Sequence, residues 1–156
     1  MGLSYGLGVA LGKKRNNPSG EGVVFIIVGD GELNEGSNWE AAALIGHLKL
    51  DNLIVIVDNN RLQSDGNCSD IMGQNLNALW TACGWQVGEC DGHSIDGIQS
   101  AMKANHPEKP LAILANTIKG KGVSFMEQNN SWHHAALMDE DYENAIGEVR
   151  RAYGSR

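Results

Sequence analysis

The stretch VVFIIVGDGELNEG, Val23 to Gly36, decides the fold. Six apolar residues run without a polar break, as in a strand covered on both faces. Gly29 ends the run, and Gly29 to Gly36 is too polar and too rich in glycine to prolong it. Ser37 to about Lys49 is rich in Ala and Leu and reads as a helix. A second apolar run, Leu53–Val57, then enters Asp58-Asn59-Asn60-Arg61-Leu62. Two strands with a helix between them are the first βαβ unit.

The same alternation continues outward. Asn59–Asp70 is polar, shows no period and reads as a long loop. Residues 74–83 are helical in pattern, with Gly84 at the position past the helix end that favours a left-handed residue. Trp85–Glu89 is the third expected strand, Asp91-Gly92 a turn, Ile95–Asn105 a helix and Leu111–Asn116 the fourth strand. A last helix is expected with Asp139 as its cap, and Tyr142, Ile146, Val149 and Tyr153 recur along it at spacings of three and four. Upstream, Asn16–Gly22 is a loop by composition. Met1–Gly12 reads as a helix ending in Lys13, Lys14 and Arg15, a basic last turn that suits the helix dipole. Its glycines at 2, 6, 8 and 12 weaken the helix and permit close packing. The expectation is an α/β domain with a parallel sheet flanked by helices, one domain over residues 1–156.

Composition narrows the partners. The formal net charge of −7 argues against nucleic acid, which selects basic faces. No apolar run approaches the roughly 18 residues of a membrane span. Basic residues follow the first apolar stretch instead of preceding it, the wrong order for a signal peptide. Three unpatterned cysteines, Cys68, Cys83 and Cys90, fit reduced thiols in a cytoplasmic protein.

Ligands of open parallel sheets sit at the carboxyl ends of the strands. If the first two strands are neighbours, Asp30 and Asn60 lie side by side there. A carboxylate, an amide oxygen and a nearby backbone carbonyl are hard donors that suit Mg²⁺ or Ca²⁺, not zinc. Mg²⁺ usually shares its shell with phosphates. Gly29 and Gly31 would let a diphosphate approach the backbone, and the helix after Gly36 would turn its N-terminus toward that anion. Singly, an Asp-Gly after a strand is most often a turn and Asn-Asn a loop pair. The dinucleotide fingerprint fails because Asn34 stands at its third glycine, and no P-loop or EF-hand pattern fits.

GDG at 29–31, then Asn59-Asn60 after 27 intervening residues, resembles the thiamine diphosphate motif. The likeness extends through GDGELNEGSNWEAAALIGHLKLDNLIVIVDNN, NTIKGKGVSFME (Asn116–Glu127) and NSWHHAAL (Asn130–Leu137), and this whole pattern is similar to the transketolases. The resemblance implies a thiamine diphosphate-binding fold of the pyrophosphate type, lacking a stretch that transketolases carry before this point. Among its site residues, Asp30 and Asn60 would hold Mg²⁺ or Ca²⁺ through side chains and Leu62 through its carbonyl. Gly29 and Gly31 would meet the diphosphate, and Ile118 would lie against the thiazolium ring. Glu35 would contact the partner domain, and His133 would lie near the diphosphate and the substrate channel. Lys119 and Lys121 are candidates to steer a phosphorylated sugar, with a solvated loop as the competing account. Ser64 departs from the family, where a larger apolar residue is common. The implied reaction transfers a two-carbon ketol unit between sugar phosphates. The implied partner is a pyrimidine-binding domain or C-terminal transketolase subunit, in a homo- or hetero-oligomer. Other thiamine diphosphate enzymes (a deoxyxylulose phosphate synthase, a 2-oxo acid dehydrogenase α subunit) and a non-catalytic fragment are the alternatives.

Overall fold

The computed structural model describes residues 1–16, 22–104 and 106–154. Most of the loop expected at Asn16–Gly22 and the expected helix end at Asn105 lie outside the described residues. Four strands form one parallel sheet: β1 (Val24–Gly29), β2 (Leu53–Asn59), β5 (Gln86–Asp91) and β6 (Leu111–Asn116), in the order β1-β2-β6-β5. The helices are α1 (Gly2–Asn16), α2 (Gly36–His47), α3 (Cys68–Met72), α4 (Leu76–Ala82), α5 (Ile95–Met102) and α6 (Asp139–Tyr153). Short 3₁₀ turns occupy Glu32–Asn34 and Asn130–His133.

The strands end level with one another. Gly29 pairs with Asp58, Asp58 with Ala115, and Cys90 with Ala115, so all four leave the sheet at the same edge. Leu3 and Ala10 of α1, Ala41, Ala42 and Ile45 of α2, and Trp80 of α4 are buried with Val55, Val57 and Leu114 of the sheet in one core. Trp80 lies between Trp39 and Trp85, at ring distances of 5.1 and 4.6 Å. The opposite core is smaller: Ile54, Leu111 and Ile113, packed with Ala101 and Met102 of α5.

That second face corrects one expectation. Alternation turns Phe25 and Ile27 of β1 away from α1, and they are 53% and 73% exposed. Among the described residues α5 covers β5 and β6 and leaves β1 bare on this side. An apolar run thus marked a strand with one open face instead of two covered ones.

Three smaller corrections concern local chemistry. The expected loop Asn59–Asp70 contains a hairpin, β3 (Leu62–Gln63) against β4 (Gly66–Asn67), and the start of α3. Met138, not Asp139, stands at the cap of α6, and Asp141 accepts its backbone N–H at 3.4 Å. The third strand begins at Gln86, because Trp85 turns its indole N–H to the Ala42 carbonyl at 2.9 Å and anchors the core. Gly84 has φ of +87°, as its place past α4 requires.

Gly46 opens the GHLKL stretch, and its role is steric. A Cβ there would stand 1.8 Å from the carbonyl oxygen of Cys83, so α2 seats its end directly on the backbone after α4. Gly8 of α1 is exposed and a Cβ there would meet nothing within 4 Å. Gly46→Ala is therefore expected to destabilise by about 3 kcal/mol through overpacking against backbone. Gly8→Ala should stabilise by about 0.5–1 kcal/mol through helix propensity. Urea unfolding of both variants checks this, and equal midpoints would contradict the packing assigned to Gly46.

Candidate functional site

The pairing of β1 with β2 continues one residue past β1, where the Asp30 N–H donates to the Asp58 carbonyl at 3.2 Å. The Asp30 side chain turns inward and is 6% exposed. One carboxylate oxygen accepts the Gly31 N–H at 2.8 Å and the other the Arg61 N–H at 2.5 Å. Arg61 presents that N–H from a left-handed conformation, φ 65°. The chain after β2 is thereby folded back onto the chain after β1.

Asn60 sits beside this bond. Its side-chain oxygen accepts the Leu62 N–H at 2.9 Å and its amide donates to Asp58 at 3.2 Å. The other oxygen of Asp58 accepts the Thr117 hydroxyl, and Asn59 donates to the Asn116 side chain at 2.8 Å. A polar web thus crosses the ends of β1, β2 and β6. The structure bonds Asp30 to the backbone of Arg61, which stands between Asn60 and Leu62, while Asp58 and Thr117 were not singled out by sequence reasoning.

Burial pushes the Asp30 carboxyl above its ordinary range, with the negative Asp58 adding to the rise and the two backbone N–H groups opposing it. The Cys68 thiol beside it is pushed up to about 11 by burial and by Asp30, so it is protonated at neutral pH. Among the described residues no Lys, Arg or His forms an ion pair with Asp30. A buried carboxylate near a second carboxylate, with no cation beside it, fits a divalent ion. Both Asp30 oxygens and the Asn60 oxygen retain lone pairs after their hydrogen bonds. No group of three or more His, Cys, Asp or Glu able to hold a metal occurs among the described residues, so such an ion would depend on amide and carbonyl oxygens as well.

Two adjoining cavities of about 420 and 620 Å³ open at this sheet edge and share Asn60, His93, Thr117 and Ile118 as walls. Arg61 and Leu62 line the first, Lys119 and Lys121 the second. Lys121 is also paired with Glu127 at 3.5 Å. A third cavity of about 120 Å³, lined by Asp30, Asn34, Cys68 and Met72, adjoins the carboxylate.

The remaining candidates differ in placement. A Cβ at Gly29 would meet nothing within 4 Å, which leaves its backbone approachable. A Cβ at Gly31 would lie 2.6 Å from Cβ of Gln63, so this glycine accommodates the hairpin. The 3₁₀ turn uses the N–H groups of Leu33, Asn34 and Glu35 and sets the start of α2 one turn further on. Glu35 is exposed at the cap of α2, and His133 is exposed on its 3₁₀ turn; neither lines these cavities. The turn that carries His133 is fixed close by, where Asn130 donates to the Ser64 carbonyl at 3.0 Å and Trp132 packs on Phe125 at 5.2 Å. His93 was missed by the sequence reading. Its signal was Asp91-Gly92 after a strand, the same pattern as Asp30-Gly31.

The family model described as "Transketolase, thiamine diphosphate binding domain" matches residues 9–156. The chain belongs to the transketolase family. Similar proteins include an apulose-4-phosphate transketolase subunit of Actinobacillus succinogenes, 39% identical over 151 residues, covering 96% of this chain and 54% of that protein. Human transketolase is 38% identical over 152 residues, covering 94% of this chain and 24% of its own length. The chain thus spans about half the length of the apulose-4-phosphate transketolase subunits it matches. The crystal structure of Campylobacter jejuni transketolase superposes with a TM-score of 0.87 at 29% identity, covering 95% of this chain and 24% of that one. Parallel sheet and flanking helices are therefore those of the transketolases, and the expected fold class holds. No helix among the described residues is long and apolar enough to cross a membrane.

Because burial raises the Asp30 carboxyl, the folded metal-free state binds a proton there more tightly than the unfolded chain. Its contribution to stability is present below the unfolded value, 3.8, and is lost as pH rises through the raised folded value. Asp30→Asn should remove this part of the pH slope in chelator-treated protein. Mg²⁺ or Ca²⁺ at a hundredfold excess over its dissociation constant should stabilise the wild type by about 2.7 kcal/mol and leave Asp30→Asn unmoved. Thermal melts across pH, with and without the ion, test both; identical ion responses would contradict the metal site.

Proposed function

We propose that this chain holds the diphosphate end of thiamine diphosphate, with Mg²⁺ or Ca²⁺, in a transketolase that moves a two-carbon ketol unit between sugar phosphates. The observation that carries this reading is the Asp30–Arg61–Asn60 arrangement at the level strand ends, in a chain of the thiamine diphosphate binding domain family. Asp30 and Asn60 would bind the ion through side-chain oxygens and Leu62 through its carbonyl, with diphosphate oxygens completing the shell. Gly29 offers open backbone to the diphosphate, Gly31 keeps the hairpin close behind it, and Ile118 supplies an apolar wall. When bound, thiamine diphosphate supplies the carbanion chemistry of ketol transfer. His133, on a turn fastened to the hairpin, would close over the cofactor and hydrogen-bond to charge that develops on the substrate.

Relatives named as one subunit of a transketolase support a second, complementary subunit. The partner in this reading is a C-terminal transketolase subunit or pyrimidine-binding domain, contacted in part by Glu35, in a cytoplasmic homo- or hetero-oligomer. The family match favours transketolase over the other thiamine diphosphate enzymes.

With its partner present, the chain is expected to bind thiamine diphosphate only when Mg²⁺ or Ca²⁺ is supplied, and Asp30→Ala should abolish binding in calorimetric titration. His133→Ala should lower turnover on the order of 10²-fold with little change in melting temperature, while His134→Ala stays near wild type. The chain alone should show no ketol transfer. Robust turnover without a partner, or metal-independent binding, would refute the reading.

A further inference from the structure

The chain leaves the sheet after β6, and the backbone N–H groups there change partners. Gly92 N–H donates to the Asn116 carbonyl at 2.8 Å from the β5 side, and Thr117 N–H donates to the Asn59 carbonyl at 3.3 Å on the β2 side. By strand alternation the next donor, Ile118 N–H, faces the β5 side. There β5 has already ended at Asp91 and turned into α5. A side chain takes the place of the missing backbone acceptor: Nε2 of His93 accepts the Ile118 N–H at 2.8 Å.

Three features fix the backbone turn that carries the imidazole. Gly92 lets the turn press against the end of β6, since a Cβ there would lie 2.4 Å from the Thr117 methyl. The Asp91 carboxylate accepts the backbone N–H of His93 at 2.8 Å, and the Asp91 carbonyl accepts the backbone N–H of Ser94 at 3.1 Å. Ser94 then caps α5 by accepting the Gly97 N–H at 3.0 Å. The side chain therefore stands between the two larger cavities and lines both.

We propose that His93 is a positioning residue for the cofactor site: its Nε2 extends the sheet by one hydrogen bond and fixes Ile118 as the apolar wall of the cleft. The cofactor half of this inference rests on the proposed function; the hydrogen bond itself does not. A backbone N–H can only donate, so Nε2 is an acceptor and the proton of the neutral ring resides on Nδ1. An unpinned Ile118 would leave the sheet end without that hydrogen bond, and the cleft wall would be ordered only when a ligand binds.

The test uses the full chain with ¹⁵N-labelled histidine and three variants. Imidazole NMR should show His93 as the Nδ1–H tautomer when neutral; an Nε2–H tautomer overturns the proposal. His93→Ala should speed amide exchange at Ile118 about fivefold, and His93→Gln, which keeps an acceptor, should restore slow exchange. Unchanged exchange in His93→Ala also overturns it. With the partner present, titration of thiamine diphosphate with Mg²⁺ should give a similar loss of about fivefold for His93→Ala, rescued in His93→Gln. Wild-type affinity in His93→Ala removes the positioning role. Asp30→Ala separates the two readings: if it binds like wild type, the metal site of the proposed function fails, while the tautomer and exchange results still decide whether His93 pins Ile118.

Discussion

A carboxylate held out of water organises the functional end of this domain. Asp30 accepts N–H groups from its own turn and from Arg61, the second residue beyond β2. Without these bonds a buried, unpaired carboxylate would be costly. With them, the loops after β1 and β2 are locked into one surface, and Arg61 takes a left-handed backbone to make the contact. Burial still raises the group, and Asp58 works in the same direction, so the bare carboxylate is disfavoured there relative to its protonated form. The hairpin, the short α3 with Cys68 and the Asn60 turn all follow from where that backbone is directed.

Much of this was legible because the chain changes character abruptly where strands end. Two unbroken apolar runs fall directly into Gly29-Asp30-Gly31 and Asp58-Asn59-Asn60, and those positions are where the polar web forms. The hairpin was not legible, since strands of two residues have no period to read. Nor was the bare side of β1: a continuous apolar run is consistent with two covered faces, and whether a helix reaches Phe25 and Ile27 depends on the path of α5. Met138 at the α6 cap escaped notice because it offers no capping oxygen; the acceptor is Asp141 inside the helix. His93 escaped because an exposed histidine after Asp-Gly resembles an ordinary turn, and its acceptor role depends on β6 ending level with β5.

Tertiary packing explains several residues that a motif search would attribute to ligand binding. Gly31 makes room for Gln63, and Gly46 for the backbone of Cys83. Trp39, Trp80 and Trp85 form one aromatic cluster behind the sheet, with indole N–H groups of Trp39 and Trp85 bound to the Leu33 and Ala42 carbonyls. That cluster fixes α2, which follows directly from the loop carrying Asp30. The chemistry at the edge is thus supported by ordinary core packing one layer deeper.

The level strand ends constrain length more severely than composition. Each residue advances a strand by about 3.3 Å and reverses its facing. Deleting one residue within β2 would therefore send Val55 and Val57 to the side of α5 and draw Asn60 back from Asp30. A hydrophobic exchange in the same strand changes only local fit. The domain can vary its core side chains while the number of residues in β1 and β2 stays fixed, so insertions and deletions are tolerable only in segments that lie off the sheet.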